Sequence, residues 1–206
     1  MSAPGPSAIL LAAGESRRMG KANKLAVPID GVPLLRRSAL VLLAAALDEI
    51  VVVLGHEAET ARAMLLDLPL RLIVNPRCRA GRMTSVHLGM QALRRPGRAV
   101  MICLADQPLL SSGDIDALIH AYCHECPSPI LVPYRDGQRG NPVIVSAAER
   151  ETLLASGGAL TCRRLIDDHP ELVWHYPAAN DHYCVDLDTV ADHERLLARL
   201  GDGPAP

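Results

Sequence analysis

The chain has little aromatic character and no apolar run long enough to cross a membrane. Among its 206 residues there is no phenylalanine, and aromatic residues make up 2%. Proteins that bind single-stranded nucleic acids usually stack the bases on aromatic side chains, so a protein of that class is not expected. The run closest to a membrane span, Leu40–Leu47, is far shorter than the roughly 20 residues that a spanning helix needs.

The chain also lacks an excess of positive charge and a recognisable targeting segment. Lysine and arginine number 21 against 23 aspartates and glutamates, which gives a net charge of −2. Surfaces that bind nucleic acids are usually basic, so such a partner is not expected. Residues Met1–Ser7 contain neither the basic region nor the apolar core of a secretory signal. We therefore expect a cytoplasmic protein without nucleic-acid or membrane partners.

The cysteines are expected to be reduced thiols in that compartment. Cys123 and Cys126 form a C-x-x-C pair, and His120 lies one turn earlier. Zinc and redox sites use this spacing, but no second C-x-x-C completes a zinc site. The pair also follows a helical pattern rather than a strand. Partly buried thiols at the end of a helix are therefore favoured over a metal or redox role.

Short apolar strands alternate with helical segments through the first 125 residues. The strands are predicted at Ser7–Leu11, Ile50–Leu54, Leu70–Val74 and Ala99–Leu104. Their spacing is typical of βαβ units, which form a parallel sheet with helices on both faces. Ligands in such folds bind beyond the carboxyl ends of the strands. We therefore expect the functional residues to follow these strands.

Residues typical of helix caps and turns predict where the other elements begin and end. Thr84 is predicted to cap a helix that ends near Leu93, and Thr189 to cap the last helix. Ser111 or Ser112 is predicted to cap the helix that ends near Cys123. The remaining expectations are a tight turn at Asp30-Gly31, a polar loop at Tyr134–Asn141 and a strand at Tyr183–Leu187.

The stretch Ala8–Leu25 combines an apolar strand with a loop of glycines and cations. Gly14 allows the backbone to approach an anion closely, and the N–H groups of such a loop bind phosphate oxygens. Arg18 offers a planar fork of donors and Lys24 a point charge. The spacing matches neither the P-loop nor the dinucleotide fingerprint, since Ser16 stands where the second glycine would be. A phosphate site of another type is indicated.

This stretch resembles the signature of the MobA-like nucleotidyltransferases. The matching residues are Leu11-Ala12-Ala13-Gly14, then Arg18-Met19-Gly20, then Lys24. Four later stretches also resemble family motifs: Gly81–Gly89, Leu104–Pro108, Arg139–Val143 and Asp186–Thr189. The resemblance implies a three-layer, Rossmann-like α/β fold with a mostly parallel, mixed central sheet. It also implies one domain over residues 1–206, with a core at about 8–200 and a disordered tail at 201–206.

The resemblance also implies the site residues. Those implied to be catalytic are Arg18, Lys24 and Asp106. Those implied to bind the nucleotide are Leu11, Ala12, Ala13, Gly14, Arg18, Lys24, Ser85 and Asp106. Gly140, Asn141 and Pro142 are implied to bind the acceptor. The implied ligands of Mg²⁺, with Mn²⁺ as the alternative metal, are Asp106, Asp188 and, as second choice, Asp186.

The residues alone leave simpler interpretations open for some of these positions. Asp106 follows a strand, where aspartate is often a turn or capping residue. Ser85 stands at a predicted helix start and is equally explained as a cap. Asp188 precedes the last helix and is equally explained as support for its cap.

Two details resemble the cytidylyltransferase branch of the family, namely Ala13 in the loop and Asn23 before Lys24. They imply transfer of CMP from CTP to the terminal phosphate of Mo-molybdopterin, with release of pyrophosphate. A molybdenum hydroxylase is then the expected recipient of the cofactor. The alternatives are GTP as donor, a sugar phosphate or phospholactate as acceptor, and a molybdopterin-binding chaperone. An NAD-dependent oxidoreductase is disfavoured because the dinucleotide fingerprint is missing.

Overall fold

An eight-stranded sheet forms the centre of the computed structural model, which describes residues 5–15, 23–94, 97 and 99–201. The strands are β1 (Ser7–Ala12), β2 (Pro28–Ile29), β3 (Val32–Pro33), β4 (Ile50–Leu54), β5 (Arg71–Val74), β6 (Ala99–Leu104), β7 (Ile130–Arg135), β8 (Gln138–Arg139), β9 (Val143–Ser146) and β10 (Val173–Pro177). The helices are α1 (Leu34–Leu43), α2 (Ala58–Ala63), α3 (Arg82–Ala92), α4 (Ser112–His124), α5 (Ala147–Ala155), α6 (Cys162–Asp168) and α7 (Val190–Gly201).

The order of strands across the sheet is β10-β7-β9-β6-β1-β4-β5, and β8 pairs with β7. Strand β1 runs parallel to both β4 and β6, and β4 runs parallel to β5. Strand β9 is antiparallel to its neighbours β6 and β7, whereas β7 and β10 are parallel. This arrangement confirms the predicted α/β class with a mostly parallel, mixed sheet.

Helices cover both faces of the sheet, which explains why its central strands are apolar without a break. Side chains alternate along β1, so that Leu10 packs towards α1 and α4 while Ile9 packs towards α3. Both side chains are fully buried. The molecule therefore consists of three layers, and the predicted strands Ile50–Leu54 and Ala99–Leu104 have the bounds that the sequence indicated.

A β-hairpin outside the main sheet connects the N-terminal part of the chain to its last helix. Strands β2 and β3 are joined at Asp30 and Gly31, whose φ angles of 51° and 77° fit a tight hairpin turn. The predicted turn is thus confirmed. A small buried cluster joins this hairpin and α1 to the segment around α7; its members are Ile29, Leu34, Leu187 and Leu196. The chain before α7 is thereby held near the hairpin.

Two helix caps differ in how well the sequence predicted them. Ser111 caps α4, and Asp114 completes a capping box, so this cap is confirmed. The prediction that Thr84 caps a helix is wrong, because α3 already begins at Arg82 after Gly81. The hydroxyl of Thr84 instead lies 2.8 Å from the carbonyl oxygen of Gly81.

Two predicted segments near the C-terminal half are also corrected. The stretch Tyr183–Leu187 forms no strand; residues His182–Cys184 form a 3₁₀ turn. The backbone of this stretch forms hydrogen bonds to loop residues; for example, the N–H of Leu187 donates to the carbonyl of Asp106. The predicted loop at Tyr134–Asn141 is partly a hairpin, because β7 extends to Arg135 and β8 pairs with it.

In the described part of the chain, no helix combines the length and apolar character that crossing a bilayer would require. All six cysteines are free thiols. Cys123 is exposed near the end of α4, and Cys126 is half-buried just beyond it. Within the described ranges, no group of three or more His, Cys, Asp and Glu side chains is arranged to hold a metal, and this includes the C-x-x-C segment.

Close packing of α3 on the sheet predicts that a methyl group at Gly89 destabilises the fold. A Cβ there would lie 2.5 Å from Cγ2 of Ile9 and 3.1 Å from Cγ2 of Val53. Such overpacking typically costs about 1–3 kcal/mol, so we expect Gly89→Ala to lower the free energy of unfolding by that amount in urea titrations.

Gly113→Ala is the matched control, because Gly113 also lies in a helix and its Cβ would meet only Ser111 Oγ at 3.7 Å. Alanine has the higher helix propensity, so this variant should be neutral or slightly stabilised. Equal losses in the two variants would contradict the packing argument.

Candidate active site

The carboxyl ends of β1 and β6 bring two of the predicted motifs together. Leu11 is paired with Leu104 in the parallel ladder. Beyond the ladder, the N–H of Ala105 donates to the carbonyl of Leu11 at 3.2 Å. The Gly14 loop and Asp106 therefore begin side by side at the same edge of the sheet, as the rule for parallel sheets predicts.

Lys24 is held between two of the predicted carboxylates. Its Nζ lies 2.5 Å from Oδ2 of Asp106 and 3.0 Å from Oδ1 of Asp188. The side chains of Lys24 and Asp106 keep only 13% and 14% of their surface exposed, so water screens this pair weakly. We call Lys24, Asp106, Asp186 and Asp188 the ionic group.

A local cap positions Lys24. The residue begins a short 3₁₀ turn, Lys24–Ala26, and Asn23 Oδ1 accepts the N–H of Leu25 at 2.9 Å. The amide nitrogen of Asn23 donates to Glu57 at 2.6 Å. Asn23 therefore orders the chain around Lys24.

The ionic group alters the pKa values of its members. Burial by itself would lower the pKa of Lys24, but attraction by Asp106 and then Asp188 outweighs it, and the pKa is raised. The pKa of Asp186 is raised to about 6, first because loss of water disfavours its charged form and then because Asp106 and Asp188 repel it. Asp186 as a whole residue is exposed, so solvent moderates this effect.

The cap of α7 directs the carboxylate of Asp188 towards Lys24. Asp192 Oδ2 accepts the N–H groups of Asp188 and Thr189, at 3.1 and 2.7 Å. The hydroxyl of Thr189 lies 3.2 Å from the N–H of Asp192 that it caps. Thr189 and Asp192 therefore make the cap, and the bonds to Thr189 help to lower the pKa of Asp192 to about 2. The side chain of Asp188 contacts Lys24 instead of serving as the cap.

The ionic group has features that suit a divalent cation. Oδ1 of Asp106 is buried and has no hydrogen-bond partner among the described residues. Asp106 and Asp188 contact the single ammonium of Lys24, and both repel the third carboxylate, Asp186. The group is therefore negative overall when all its members are ionised. No complete set of three protein ligands is formed in the described ranges, but Mg²⁺ is commonly held by one or two carboxylates together with substrate phosphates. The donor set therefore fits such an ion.

A narrow first cavity of about 150 Å³ opens beside the ionic group. It is lined by every described residue of the predicted nucleotide set: Leu11, Ala12, Ala13, Gly14, Lys24, Ser85 and Asp106. Other lining residues, which the sequence did not single out for a role, include Cys78 and Arg82. Arg18 and Gly20 of the signature lie outside the described residues.

Asn75 is a buried residue of this site that sequence reasoning missed. It follows β5 and is 4% exposed. Its amide nitrogen donates to Oγ1 of Thr84 and Oγ of Ser85, at 2.8 and 2.9 Å. Ser85 lies inside α3, which begins at Arg82, and so is not its cap. Because the Ser85 hydroxyl accepts the bond from Asn75, its proton stays available to the cavity. The only sequence signal was an asparagine at the end of a strand.

The wall of the first cavity is tightly packed around Ala13. A Cβ on Gly55 would lie 2.6 Å from Cβ of Ala13 and 2.8 Å from Cβ of Cys78. Gly55 is thus needed for the Ala13 methyl group to lie where it does. Of the two residues that resemble the cytidylyltransferase branch, Ala13 lines the cavity and Asn23 does not.

A wider second cavity of about 690 Å³ adjoins the first. Its floor is apolar and comes from both the sheet and the helices: Val86, Ile102, Val132, Val143 and Ile166. Arg82, Arg139 and Arg163 are its charged residues. A cavity of this composition suits a ligand with an apolar or flat body and anionic groups.

Gly140 and Asn141 of the predicted acceptor set line the second cavity, whereas Pro142 borders a small internal space against α1 and α4. The carbonyl of Tyr183 fixes this segment, because it accepts the N–H of Asn141 at 2.9 Å. It also accepts the side-chain amide of Gln107 at 2.7 Å. One carbonyl thus connects the acceptor motif with the motif that contains Asp106.

Comparison with known proteins identifies the class of this protein. The family model described as MobA-like NTP transferase domain matches residues 8–173. The chain belongs to this family, and it is an enzyme of the nucleotidyltransferase class. The matched stretch ends before Asp186 and Asp188, so the match itself does not cover two members of the ionic group.

Two named relatives differ in their described activities. Nicotine blue oxidoreductase of Paenarthrobacter nicotinovorans is 28% identical over 94% of this chain and 97% of its own length. A probable molybdenum cofactor guanylyltransferase of Mycobacterium avium is 31% identical over 77% of this chain and 79% of its own length.

Solved structures share the fold. A nucleotidyl transferase from Methanothermobacter has a TM-score of 0.80 at 20% identity, covering 95% of this chain and 97% of its own. A Mycobacterium tuberculosis protein solved in complex with manganese has a TM-score of 0.77 at 22% identity, covering 96% and 100%.

The α7 cap predicts a stability effect of Asp192. Asp192→Ala removes the acceptor for the N–H groups of Asp188 and Thr189. Loss of a helix cap typically costs about 0.5–2 kcal/mol, and we expect a loss in this range from chemical denaturation.

Glu194→Ala removes the same charge from an exposed position of α7 and should change stability by less than about 0.5 kcal/mol. If Asp192→Ala proves as harmless as Glu194→Ala, the cap does not hold the segment.

Proposed function

We propose that this enzyme transfers CMP from CTP to the terminal phosphate of Mo-molybdopterin and releases pyrophosphate. The observation that carries the proposal is the pair of adjoining cavities, one beside the ionic group and one with an apolar floor and arginines. The first suits a nucleotide phosphate and the second a phosphorylated ring system. The relative named as a molybdenum cofactor guanylyltransferase supports this acceptor.

The chemistry is a direct displacement at phosphorus. An oxygen of the acceptor phosphate forms a bond to the α-phosphorus of the nucleotide, and the bond from that phosphorus to the bridging oxygen breaks. Pyrophosphate leaves with the electron pair. The attacking phosphate is already ionised, so no strong base is needed, and catalysis depends on alignment and on neutralising charge.

The residues of the first cavity divide this work. Lys24 presents its ammonium to the α-phosphate, and the loop at Gly14 offers backbone N–H groups to the phosphates. Arg18 is proposed to bind the β- and γ-phosphates that leave. Asp106 and Asp188, with Asp186 as second choice, would hold Mg²⁺ or Mn²⁺. When bound, that ion supplies positive charge to the phosphate oxygens; the manganese complex of the M. tuberculosis neighbour supports the use of a divalent metal.

The acceptor is proposed to lie in the second cavity. Asn141 offers both a donor and an acceptor to it, and Gly140 allows close approach of the chain, because a Cβ there would lie 2.6 Å from the carbonyl of Tyr183. A sugar phosphate or phospholactate offers less apolar surface to the floor and is the weaker alternative. After transfer, a molybdenum hydroxylase would receive the product; a chaperone without turnover would not need the ionic group.

The proposal also extends to the whole protein. We place residues 8–200 in one catalytic domain, because Lys24 and Asp188 complete the same ionic group from its two ends. We place the reaction in the cytoplasm, where the free thiols of this chain would stay reduced.

A second candidate function comes from the relative named nicotine blue oxidoreductase. Hydride transfer from NADH or NADPH to a quinoid ring would use the second cavity for the ring. It gives the ionic group no chemical task, since hydride transfer needs no cluster of carboxylates around a lysine. Transfer of a nucleotide uses both cavities and the ionic group, and is therefore preferred.

The deciding experiment offers CTP, GTP, ATP and UTP separately, with Mg²⁺ and Mo-molybdopterin, and measures pyrophosphate release. We expect release with CTP alone. Release with GTP alone would keep the mechanism and overturn the choice of base. Oxidation of NADH or NADPH by a quinoid dye, with no pyrophosphate from any nucleotide or acceptor, would establish the second candidate.

Asp106→Asn and Lys24→Met should each lower kcat by about a hundredfold or more, the usual cost of losing an electrostatic contact in the transition state. Near-normal turnover in either variant would remove that residue from the mechanism. Asp67→Asn is the control, because Asp67 is an exposed carboxylate that pairs with Arg36 and lines neither cavity. Circular dichroism should show that all three variants are folded.

Ala13→Gly should shift the choice of nucleotide towards GTP. We propose that the base also contacts the Ala13 methyl group, so that removing this group makes room for a larger base; one such group changes discrimination by roughly tenfold. The ratio of kcat/KM for CTP to that for GTP measures the effect. An unchanged ratio would show that Ala13 does not contact the base.

A further inference from the structure

Arg82 has a position that no other charged residue of the two cavities shares. Leu11, Leu104 and Arg82 line both cavities. Two of these residues are apolar, so Arg82 brings the only charge to the junction among the described lining residues. Lys24 and Asp106 line the first cavity alone, and Arg139 and Arg163 line the second alone.

The guanidinium of Arg82 is available for a ligand. Arg82 is an exposed residue, and within the described ranges no hydrogen bond or ion pair engages its side chain. The other two arginines of the second cavity differ, because Arg139 forms an ion pair with Asp167 and Arg163 lies 4.0 Å from the same carboxylate. Of the three arginines of the second cavity, Arg82 is therefore the one whose charge is least neutralised by carboxylates of the protein.

The backbone places Arg82 at the start of α3. Gly81 precedes it with a φ of 118°, a conformation that favours glycine. The helix dipole and the N–H groups of its first turn add positive potential at the same place.

A cation at this junction would favour the proposed reaction by attracting both phosphates. Two anionic phosphates must approach until an oxygen of one bonds to the phosphorus of the other. A planar guanidinium has five N–H donors and can bind two phosphates at once, which an ammonium does less well. Lys24 and Asp106 line the first cavity and not the second, where the acceptor is proposed to bind.

We propose that Arg82 binds the α-phosphate of the nucleotide and the terminal phosphate of the acceptor together, and so aligns them for transfer. This inference rests on the proposed function for the second phosphate. Arg82 then assists the step in which an oxygen of the acceptor phosphate bonds to the α-phosphorus and the bond from that phosphorus to pyrophosphate breaks. It makes no covalent bond and transfers no proton.

Kinetics of Arg82→Met and Arg82→Lys test the proposal. Arg82→Met keeps the length of the side chain but loses its charge, so kcat should fall by about a hundredfold and KM should rise for both substrates. Arg82→Lys keeps the charge but loses the fork, and should recover part of kcat. Arg77→Met alters an exposed arginine of the segment between β5 and α3 that lines neither cavity, and this variant should behave like the unaltered enzyme. A kcat within threefold of normal in Arg82→Met would overturn the proposal.

Binding measurements decide the matter even if no turnover is found. CMP and GMP each carry a single phosphate, the α-phosphate that Arg82 is proposed to hold. Inorganic phosphate serves as the probe of the second cavity. Arg82→Met should weaken the monophosphate that the unaltered protein binds, and inorganic phosphate in its presence, each by about tenfold. Arg163→Met should weaken inorganic phosphate alone. Unchanged monophosphate affinity in Arg82→Met would sink the role of Arg82, whereas absence of turnover in the unaltered enzyme would sink only the proposed function.

Discussion

The candidate active site depends on the two ion pairs that the Lys24 ammonium forms with Asp106 and Asp188. They join the loop after β1, the end of β6 and the segment before α7. Charges that are largely removed from water need partners, and loss of one partner leaves the others unpaired. The α7 cap, the 3₁₀ turn at Lys24 and the buried cluster that joins the β2–β3 hairpin to α7 all help to hold these segments in contact. Their positions are therefore mutually dependent.

The mixed topology of the sheet gives the two cavities their different characters. The first lies beyond the parallel strands β1 and β6, where loop backbone and charged side chains converge. The second takes its floor from β6, β7 and the antiparallel strand β9, through Ile102, Val132 and Val143. Side chains of a sheet face make a broad apolar surface, whereas strand ends make a narrow polar one. A narrow polar cavity and a broad apolar one thus lie side by side.

Sequence reasoning succeeded where local pattern decides structure. Unbroken apolar runs such as Ile50–Leu54 indicated strands buried on both faces, and the motif around Asp106 could be placed at a strand end. It failed where the deciding partner is distant in the chain. Thr84 has the residue type of a helix cap, but α3 begins two residues earlier, at Arg82 after Gly81. Residues 183–187 have the composition of a strand, but their backbone bonds go to loop residues such as Asp106. Arg82 gave no signal, because only the folded chain shows that it lines both cavities.

The link between Lys24 and Asp188 spans most of the polypeptide, and this has a consequence for synthesis on the ribosome. N-terminal elements emerge and fold first, so β1, β4, β5 and β6 can pair before the segment around α7 has been made. A nascent chain halted before Asp186 carries the signature loop and Asp106 but lacks the other two carboxylates. Truncated translation products should therefore keep the sheet and yet have an incomplete ionic group, which is completed only in the last stage of translation.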